Sequence, residues 1–329
     1  MPKISTAGRN LALEAVRVTE AAALAASRLM GRGDDRAADR AAVDAMHDAL
    51  RMLAITGTIR IGEGGEGESP KLYVGETVGT GDGPRVDVAA MPLEGSTIIA
   101  KGEPNALSVI AIAEGGGFLN IPDIYMEKIA IGGGLPEDVF DLEEEPAKNL
   151  GELARAKGVD VGDLVVCILD RPRHTDLIAK TRDAGARIML IRDGDVAGVI
   201  ATTQPESGVD IYMGIGGAPQ GVLAAAALGC VGGQMHGRLV LRNDEEKKQA
   251  DKCGITDFDK KYGVPDMARG DITFAATGVT SGAMLAGVRR HRGIAVTQSM
   301  VMRSRTGTLR YIEAHHLLGR LGAAGLKNA

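Results

Sequence analysis

The amino-acid sequence predicts a mixed protein of two domains, α+β in the first and layered α/β in the second. Its 329 residues exceed the ~250 to 300 at which a single hydrophobic core stops growing. The first half combines helical periodicity with apolar runs typical of an antiparallel sheet. After about residue 158, short apolar strands alternate with helices, as in α/β domains. We therefore expect one domain over residues 1–158 and another over residues 159–329.

Two amphipathic helices are predicted near the N-terminus, over about residues 10–30 and 38–53. In the second helix, Asp39 lies on the same stripe as the apolar Val43 and Met46. A carboxylate on a buried face needs a partner. Asp39 therefore either binds a cation or caps the start of the helix.

A glycine-rich acidic loop follows, between predicted strands at residues 58–62 and 72–78. It carries Glu63, Glu66 and Glu68. Three carboxylates in one loop offer the oxygen ligands that Mg²⁺ and Mn²⁺ take. The alternative is an acidic loop that only contacts solvent.

The next strand leads into the most informative turn of the sequence. Residues 86–90 alternate as a half-buried strand does, and we expect Pro92 to end it. Glu94, Gly95 and Ser96 follow at a turn or helix start. Backbone N–H groups at such a start favour an anion, so a carboxylate beside them indicates a metal held next to a phosphate. A simple helix cap is the alternative.

Two apolar runs close the first domain. Residues 107–113 and 118–131 are joined by a Glu-Gly-Gly-Gly segment, which predicts a β-hairpin and hence a long antiparallel sheet. The acidic, irregular segment 136–146 then marks the approach to the domain boundary.

In the second domain, polar loops follow the predicted strands. Strands are expected at 164–169, 187–191, 210–214 and 237–241, helices at 175–184, 195–202 and 221–228, and a strand at 271–278 with a hairpin at 294–311 near the C-terminus. Ligands bind at strand ends in α/β sheets. Arg171 and Arg173 are expected either to bind phosphate oxygens or to form surface ion pairs. Asp193 and Asp195 are expected either to bind sugar hydroxyls or to cap the following helix.

Composition excludes several classes of function. The net charge is −5 and no block of like charge occurs, which argues against nucleic-acid binding. The three cysteines lack disulfide or metal spacing and are expected to be reduced, structural thiols. With no signal-peptide core and no long apolar run, a soluble, cytoplasmic protein without membrane association is expected. No nucleophilic triad is evident.

Several of these motifs, taken together and in order, resemble one known family. They are Gly31-Arg32-Gly33-Asp34, Ile61-Gly62-Glu63-Gly64, Pro92-Leu93-Glu94-Gly95-Ser96, Tyr125-Met126-Glu127-Lys128, Arg171-Pro172-Arg173-His174, Asp193-Gly194-Asp195-Val196 and Gly214-Ile215-Gly216-Gly217-Ala218-Pro219. The chain resembles, over about residues 8–316, the class II fructose-1,6-bisphosphatases. These are bacterial members of the lithium-sensitive, metal-dependent phosphatase superfamily.

The resemblance implies a layered αβαβα sugar-phosphatase fold and a specific reaction. Class II enzymes hydrolyse the 1-phosphate of fructose 1,6-bisphosphate in gluconeogenesis, and some relatives accept sedoheptulose 1,7-bisphosphate. The resemblance further implies Mn²⁺ or Mg²⁺ as cofactor and a homo-oligomer, either a dimer or a tetramer. The expected partner is a small sugar bisphosphate.

The resemblance also assigns roles to residues. Asp39, Glu63 and Glu94 would bind metal, with Ser96 and Glu63 catalytic. Substrate-binding positions would be Glu94, Gly95, Ser96, Tyr125, Arg171, Pro172, Arg173, Asp193, Gly194, Asp195 and Gly217.

The chain departs from the family at two metal-ligand positions. Met91 stands where an aspartate is usual, and Gln220 where a glutamate is usual. A thioether does not replace a carboxylate for Mg²⁺, and an amide supplies no charge. The sequence therefore leaves three alternatives: a working phosphatase, a catalytically impaired homologue that binds sugar phosphates as a sensor or partner protein, or a phosphatase of altered substrate.

Overall fold

A computed structural model describes residues 7–321 of the chain. The chain forms two compact units. Of the described residues, one unit contains 7–118 and 270–321, and the other contains Leu119–Arg269. These limits differ from the predicted boundary at residue 158, because the chain leaves the first unit near residue 118 and returns to it near residue 270.

The elements within residues 7–321 are as follows. The helices are α1 Ala7–Ser27, α2 Asp35–Leu50, α3 Ser96–Lys101, α4 Pro146–Lys157, α5 Thr175–Asp183, α6 Asp195–Ala201, α7 Ala218–Val231, α8 Asp244–Lys252, α9 Val264–Met267 and α10 Leu318–Leu321. The strands are β1 Thr56–Ile61, β2 Thr77–Val78, β3 Arg85–Glu94, β4 Leu107–Glu114, β5 Tyr125–Ile131, β6 Val165–Leu169, β7 Arg187–Ile191, β8 Ile211–Gly217, β9 Gln234–Val240, β10 Tyr262–Gly263, β11 Thr273–Gly278, β12 Arg289–His291, β13 Ile294–Arg303 and β14 Thr308–Leu317.

The first unit is built on an eight-stranded mixed sheet. Its order is β12-β13-β11-β4-β3-β1-β2, and β14 pairs with β13. β1 and β3 are parallel, so their carboxyl ends lie at the same edge of the sheet. Helices α1 and α2 pack on each other, and both contact β3. The alanine-rich composition of α1 permits this close approach, since most of its side chains from Ala15 to Ala26 are fully buried.

The second unit is built on a six-stranded mixed sheet with helices on both faces. Its order is β10-β9-β5-β8-β6-β7, in which β6 is parallel to both β7 and β8. Leu150 and Leu153 of α4 share a core with Val166 and Ile168 of β6. On the other face, α7 lies against Met126 of β5. This is the helix–sheet–helix layering that the alternation of elements predicts.

Two of the predicted strands differ from the structure. Residues 72–78 form a turn-rich segment in which only β2 is a strand, because Leu72 has a φ of 55° and Gly75 a φ of 98°. Strand β3 does not stop at Pro92 but continues to Glu94. The pairing with β4 shifts between Met91 and Glu94, and this irregularity accommodates a proline without an N–H.

The predicted hairpin over residues 107–131 is wrong. A turn does form at its glycines, with Gly117 N donating to Glu114 O at 2.8 Å. β4 then pairs with β3 and β11, whereas β5 pairs with β8 and β9 in the other sheet. The segment 118–124 is a connection between the two sheets. Helix α4 had no counterpart in the sequence-based prediction, which placed residues 146–157 near a domain boundary.

Other features agree with the sequence. The alternation from β6 to α7 and the β13–β14 hairpin agree with the prediction. The three cysteines are unpaired, as expected. None of the helices in residues 7–321 combines the length and apolar character that a bilayer crossing demands.

Candidate active site

In the second unit, one edge of the sheet gathers most of the predicted substrate-binding residues. The parallel strands β6, β7 and β8 end there, so the loops that follow them lie at the same edge. β5 runs antiparallel to β8, which places Tyr125 opposite Gly217, and Tyr125 also lies opposite Val240 of β9. The predicted residues at or just beyond these strand ends are Tyr125, Arg171, Pro172, Arg173, Asp193, Gly194, Asp195, Gly217 and Gln220.

His174 fixes the loop after β6 to the end of β8. Its Nδ1 lies 2.7 Å from Leu169 O, and its Nε2 accepts from Ile215 N at 2.7 Å. The ring is therefore the tautomer with hydrogen on Nδ1. Burial lowers the pKa of His174, so the neutral form is favoured. Its ring occupies the space above Gly214, where an added Cβ would lie 3.1 Å from Nε2.

Arg173 is held by the same residue of β8. Its Nε and Nη2 both donate to Ile215 O, at 2.9 and 2.8 Å. Arg171 is less constrained, with Nη1 donating to Asp170 O at 3.1 Å. Pro172 begins the short 3₁₀ turn between them. The loop thus presents one fixed and one adaptable guanidinium group, rather than arginines in surface ion pairs.

A buried ion pair joins three elements at this edge. Lys128 of β5 donates from Nζ to Asp195 Oδ2, and also to Gly217 O at 2.9 Å. Both side chains are buried. Asp195 begins α6 and was predicted to contact substrate or cap that helix. In the structure Asp195 pairs with Lys128 and does not cap α6, while Asp193 Oδ1 accepts from Gly194 N at 3.1 Å.

Tyr125 lies beside two guanidinium groups. The guanidinium carbons of Arg173 and Arg242 lie 4.8 and 4.6 Å from the centroid of its ring. Arg242 follows β9 and is bound by Glu246 of α8, with Nε to Oε1 at 2.8 Å. Sequence reasoning missed both Lys128 and Arg242 as individual site residues. A lysine inside the apolar run of β5 was the available signal for Lys128, since a buried charge needs a partner.

A cavity of about 280 Å³ lies beside Arg173 and His174 in this unit. Its wall includes Lys128 and the acidic segment 143–145. Most of the carboxylates there are already paired, as Glu145 is with Lys180 at 2.8 Å. The cavity therefore has polar walls whose charges are largely balanced.

In the first unit, α2, the loop after β1 and the end of β3 carry the predicted metal ligands. The side chain of Asp34, and not that of Asp39, caps α2 by accepting from Ala37 N at 2.8 Å. The capping alternative for Asp39 is therefore wrong. Asp39 is half-buried, and burial, with the nearby Asp35, raises the pKa of its carboxyl.

The loop that carries Glu63 is folded back on itself and tied to α2. Glu63 N donates to Leu72 O at 2.8 Å, and an added Cβ at Gly62 would lie 1.9 Å from that same oxygen. Glu76 Oε1 lies 2.9 Å from His47 Nε2 of α2, and Glu76 Oε2 accepts from Leu72 N at 2.5 Å. The loop is thus an ordered structure rather than an acidic loop that only contacts solvent.

The end of β3 presents the predicted Glu-Gly-Ser turn. Glu94 is 4% exposed, and Gly95 has a φ of 89° at the N-cap of α3. The left-handed backbone explains why glycine occupies this position. Ser96 is the first residue of α3 and is half-buried, as is Met91. The N-cap residue Gly95 has no side chain that could cap α3. The first backbone N–H groups of α3 therefore face the turn.

The carboxylates do not form a metal centre as placed. Within residues 7–321, no three Asp, Glu, His or Cys side chains come together as a set that could hold a metal ion. Met91 contributes a thioether beside Glu94. Gln220 Oε1 is buried, with no hydrogen-bond partner among the described residues, and lies where a Cβ on Gly217 would be 1.8 Å away. The donor set therefore does not fit the metal site that the family resemblance implies.

Comparisons with known proteins identify the family. The model of the family described as bacterial fructose-1,6-bisphosphatase, glpX-encoded, matches residues 9–316. The chain is 44% identical over 326 residues to fructose-1,6-bisphosphatase 1 class 2 of Escherichia coli strain K12, covering 95% of this chain and 96% of that protein. Its identity to fructose-1,6-bisphosphatase class 2 of Shigella flexneri is the same, over the same shares of both chains. The resemblance seen in the sequence is thus confirmed, and the chain belongs to the bacterial, glpX-encoded fructose-1,6-bisphosphatase family.

Proposed function

We propose that this protein hydrolyses the 1-phosphate of fructose 1,6-bisphosphate, giving fructose 6-phosphate and phosphate. The observation that carries the proposal is the 44% identity to a class 2 fructose-1,6-bisphosphatase over 95% of the chain. Identity of this extent covers both units, including all of the strand ends that carry the candidate residues. The reaction belongs to gluconeogenesis, and sedoheptulose 1,7-bisphosphate is a second substrate to be tested.

Substrate binding is assigned to the strand-end loops of the second unit and to the turn after β3. Arg171 and Arg173 would bind phosphate oxygens through guanidinium N–H groups. Tyr125, Asp193, Gly194 and Gly217 would contact the sugar phosphate. Asp195 would act through Lys128, because its carboxylate is already engaged there.

The catalytic assignment rests on the first unit. Ser96 would orient the attacking water from the first position of α3, and Glu94 and Gly95 would shape the turn around the reacting phosphate. Members of the family are typically dependent on a divalent metal. Asp39, Glu63 and Glu94 are the residues proposed to bind Mn²⁺ or Mg²⁺. The donor set as placed does not fit such a site, so no step is assigned to the metal.

A second function is favoured by one specific observation. Met91 and Gln220 remove two carboxylates from positions where the family carries metal ligands, whereas the arginine loop of the second unit is intact. A chain of this kind would bind sugar phosphates without hydrolysing them efficiently. It would then act as a sensor or a partner protein.

Phosphate release and ligand binding, measured on the same protein, separate the two functions. Release from fructose 1,6-bisphosphate that needs Mn²⁺ or Mg²⁺ and stops with a chelator supports the phosphatase. Binding of fructose 6-phosphate in chelator, without release under any metal condition, supports the sensor. Fructose 1,6-bisphosphate and sedoheptulose 1,7-bisphosphate, assayed side by side, give the substrate preference.

Three further properties complete the proposal. The fold is proposed to be the layered αβαβα arrangement of the sugar phosphatases, which the two mixed sheets with packed helices support. The protein is proposed to work in the cytoplasm, where its sugar-phosphate substrate is found. It is proposed to be a homo-oligomer, a dimer or a tetramer, which light scattering of the purified chain would test.

A further inference from the structure

Arg242 is an anchored but exposed cation at the substrate edge of the second sheet, and the family resemblance gives it no role. It follows β9 and lies 4.6 Å from the centroid of the Tyr125 ring. Arg173, a predicted phosphate-binding residue, lies 4.8 Å from the same centroid. Three side chains from three separate segments therefore meet at the start of β5.

Both guanidinium groups are held in place by the protein. Glu246 is buried, and its Oε1 accepts from Arg242 Nε and Nη2 at 2.8 and 2.5 Å. Its Oε2 accepts from Arg242 N at 2.7 Å. Arg173 uses Nε and Nη2 in the same manner on Ile215 O. Holding a long side chain at two donors removes most of the rotamer entropy that ligand binding would otherwise cost.

In each arginine, one guanidinium nitrogen remains available to donate a hydrogen bond to a ligand. Nη1 of Arg173 and Nη1 of Arg242 make no hydrogen bond within residues 7–321. The Arg242 side chain is 56% exposed although its guanidinium is anchored. Fixed donors that face solvent are the arrangement that proteins use to bind oxyanions.

Charge also favours an anion at this place. Both guanidinium groups lie beside the Tyr125 ring, within roughly 10 Å of each other. This separation is close to one Debye length in physiological salt. Only Arg242 has a carboxylate partner among the described residues, since Arg173 is bound by a carbonyl. The pair therefore keeps a net positive charge that a phosphoryl group neutralises.

We propose that Arg242 is a substrate-binding residue, which with Arg173 binds the phosphoryl group that is not hydrolysed, the 6-phosphate of a hexose bisphosphate. This inference rests on the proposed function for the identity of the sugar phosphate. Hydrolysis of the 1-phosphate gives fructose 6-phosphate, so the 6-phosphate is the phosphoryl group that substrate and product share and that the arginine pair would bind. Glu246 is the positioning residue for Arg242.

The test is calorimetric binding of fructose 6-phosphate to the purified full chain in chelator, so that no metal and no turnover are required. Arg242→Met removes the guanidinium group but keeps the apolar stem that packs on Tyr125. The expected result is a loss of affinity of about 10- to 100-fold, as for a hydrogen bond to a charged group. The loss should shrink at high salt, because the wild-type affinity itself falls there.

Arg238→Met is the matched control. Arg238 lies on β9, four residues before Arg242, and pairs with Glu127 at 3.0 Å and Glu143 at 3.6 Å. Its loss should leave the affinity for fructose 6-phosphate within about twofold of the wild type. The unfolding temperatures of both variants should be close to that of the wild type.

Defined results overturn the inference. Unchanged affinity of Arg242→Met for fructose 6-phosphate, with or without a lower unfolding temperature, assigns Arg242 to structure alone. A loss confined to fructose 1-phosphate assigns it to the other phosphate. Absence of any binding by the wild type also overturns it. By contrast, Arg242-dependent binding in a chain that releases no phosphate overturns only the proposed hydrolysis and leaves Arg242 as a binding residue.

Discussion

Lys128 and Asp195 form a buried ion pair between β5 and the first residue of α6, and the same ammonium group binds Gly217 O at the start of α7. The lysine is 1% exposed and the aspartate 6% exposed. One side chain thereby fixes the loop after β7, which carries Asp193, relative to the junction of β8 and α7, which is followed by Gln220. We propose that the pair acts on the site by holding these segments in place.

Lys128→Met is expected to lower the free energy of unfolding by about 3 to 5 kcal/mol, because it leaves the Asp195 carboxylate buried without its counter-charge. Urea unfolding followed by circular dichroism measures the change. Adding Asp195→Asn to Lys128→Met should recover part of the loss, since the buried charge is then removed. Lys148→Met, which breaks the exposed pair with Glu144, is the control and should change little. A Lys128→Met protein as stable as this control would show that the pair is not structural.

Gly216→Ala is expected to disrupt the same ion pair from the other side. An added Cβ would lie 2.0 Å from Asp195 Oδ2 and 2.9 Å from Lys128 Nζ, so the pair must move. The expected cost is on the order of 3 kcal/mol of unfolding free energy. Gly151→Ala is the matched control, because Gly151 lies in α4 with nothing within 4 Å of its added Cβ. That change should stabilise the protein by about 0.5 to 1 kcal/mol. Equal effects at the two positions would contradict the assigned role of Gly216.

His174 is expected to make stability depend on pH on the acidic side. Burial lowers the pKa of its ring in the folded protein below the ordinary value of 6.5. The unfolded chain therefore takes up the proton first as the pH falls. The contribution of His174 to stability is complete above about pH 6.5 and declines below it, down to the folded pKa.

The variant His174→Asn tests this dependence through urea unfolding at several values between pH 7.5 and 4.5. Its stability should fall less steeply below pH 6.5 than that of the wild type. Burial also lowers the pKa of His236, so His236→Asn is a useful companion that should remove a separate part of the slope. An unchanged acid slope in His174→Asn would show that the ring does not resist protonation in the folded state.

Glu76 is expected to keep the Glu63 loop closed. It accepts from Leu72 N and contacts His47 of α2, so Glu76→Ala removes both links. Tryptic cleavage after Lys71, in the middle of the loop, should become about tenfold faster, the equivalent of one hydrogen bond to a charged group. Glu66→Ala, at an exposed position of the same loop, should not change the rate. Similar cleavage rates in the two variants would mean that other contacts close the loop.

Local patterns predicted the second unit well because its signals are periodic and short in range. The alternation from β6 to α7 follows directly from apolar runs separated by glycine, aspartate and proline. The parallel pairing then brings the segments at residues 171–173 and 193–195 and the β8–α7 junction at residues 217–220 to one edge, which is why their polar residues were recognisable. The layering and the position of the edge are consequences of that pairing.

Long-range pairing explains the errors. Nothing in the runs at 107–113 and 118–131 indicates that they pair with strands 80 or more residues away, at β11 for the first and at β8 and β9 for the second. Local spacing also misses Arg242, because its relation to Tyr125 exists only after β9 pairs with β5. Asp39 is half-buried, in keeping with its predicted place on the apolar stripe of α2, but the residue that caps α2 is Asp34.

The measurement that tests the central proposal most directly is phosphate release from fructose 1,6-bisphosphate, with Mn²⁺, with Mg²⁺ and with chelator. It should be made on the wild type and on the double variant Met91→Asp, Gln220→Glu. We predict metal-dependent release by the wild type and a higher rate at lower metal concentration in the double variant, because two carboxylates are restored. A silent wild type beside an active double variant would contradict hydrolysis as the function of this chain and support the sugar-phosphate sensor.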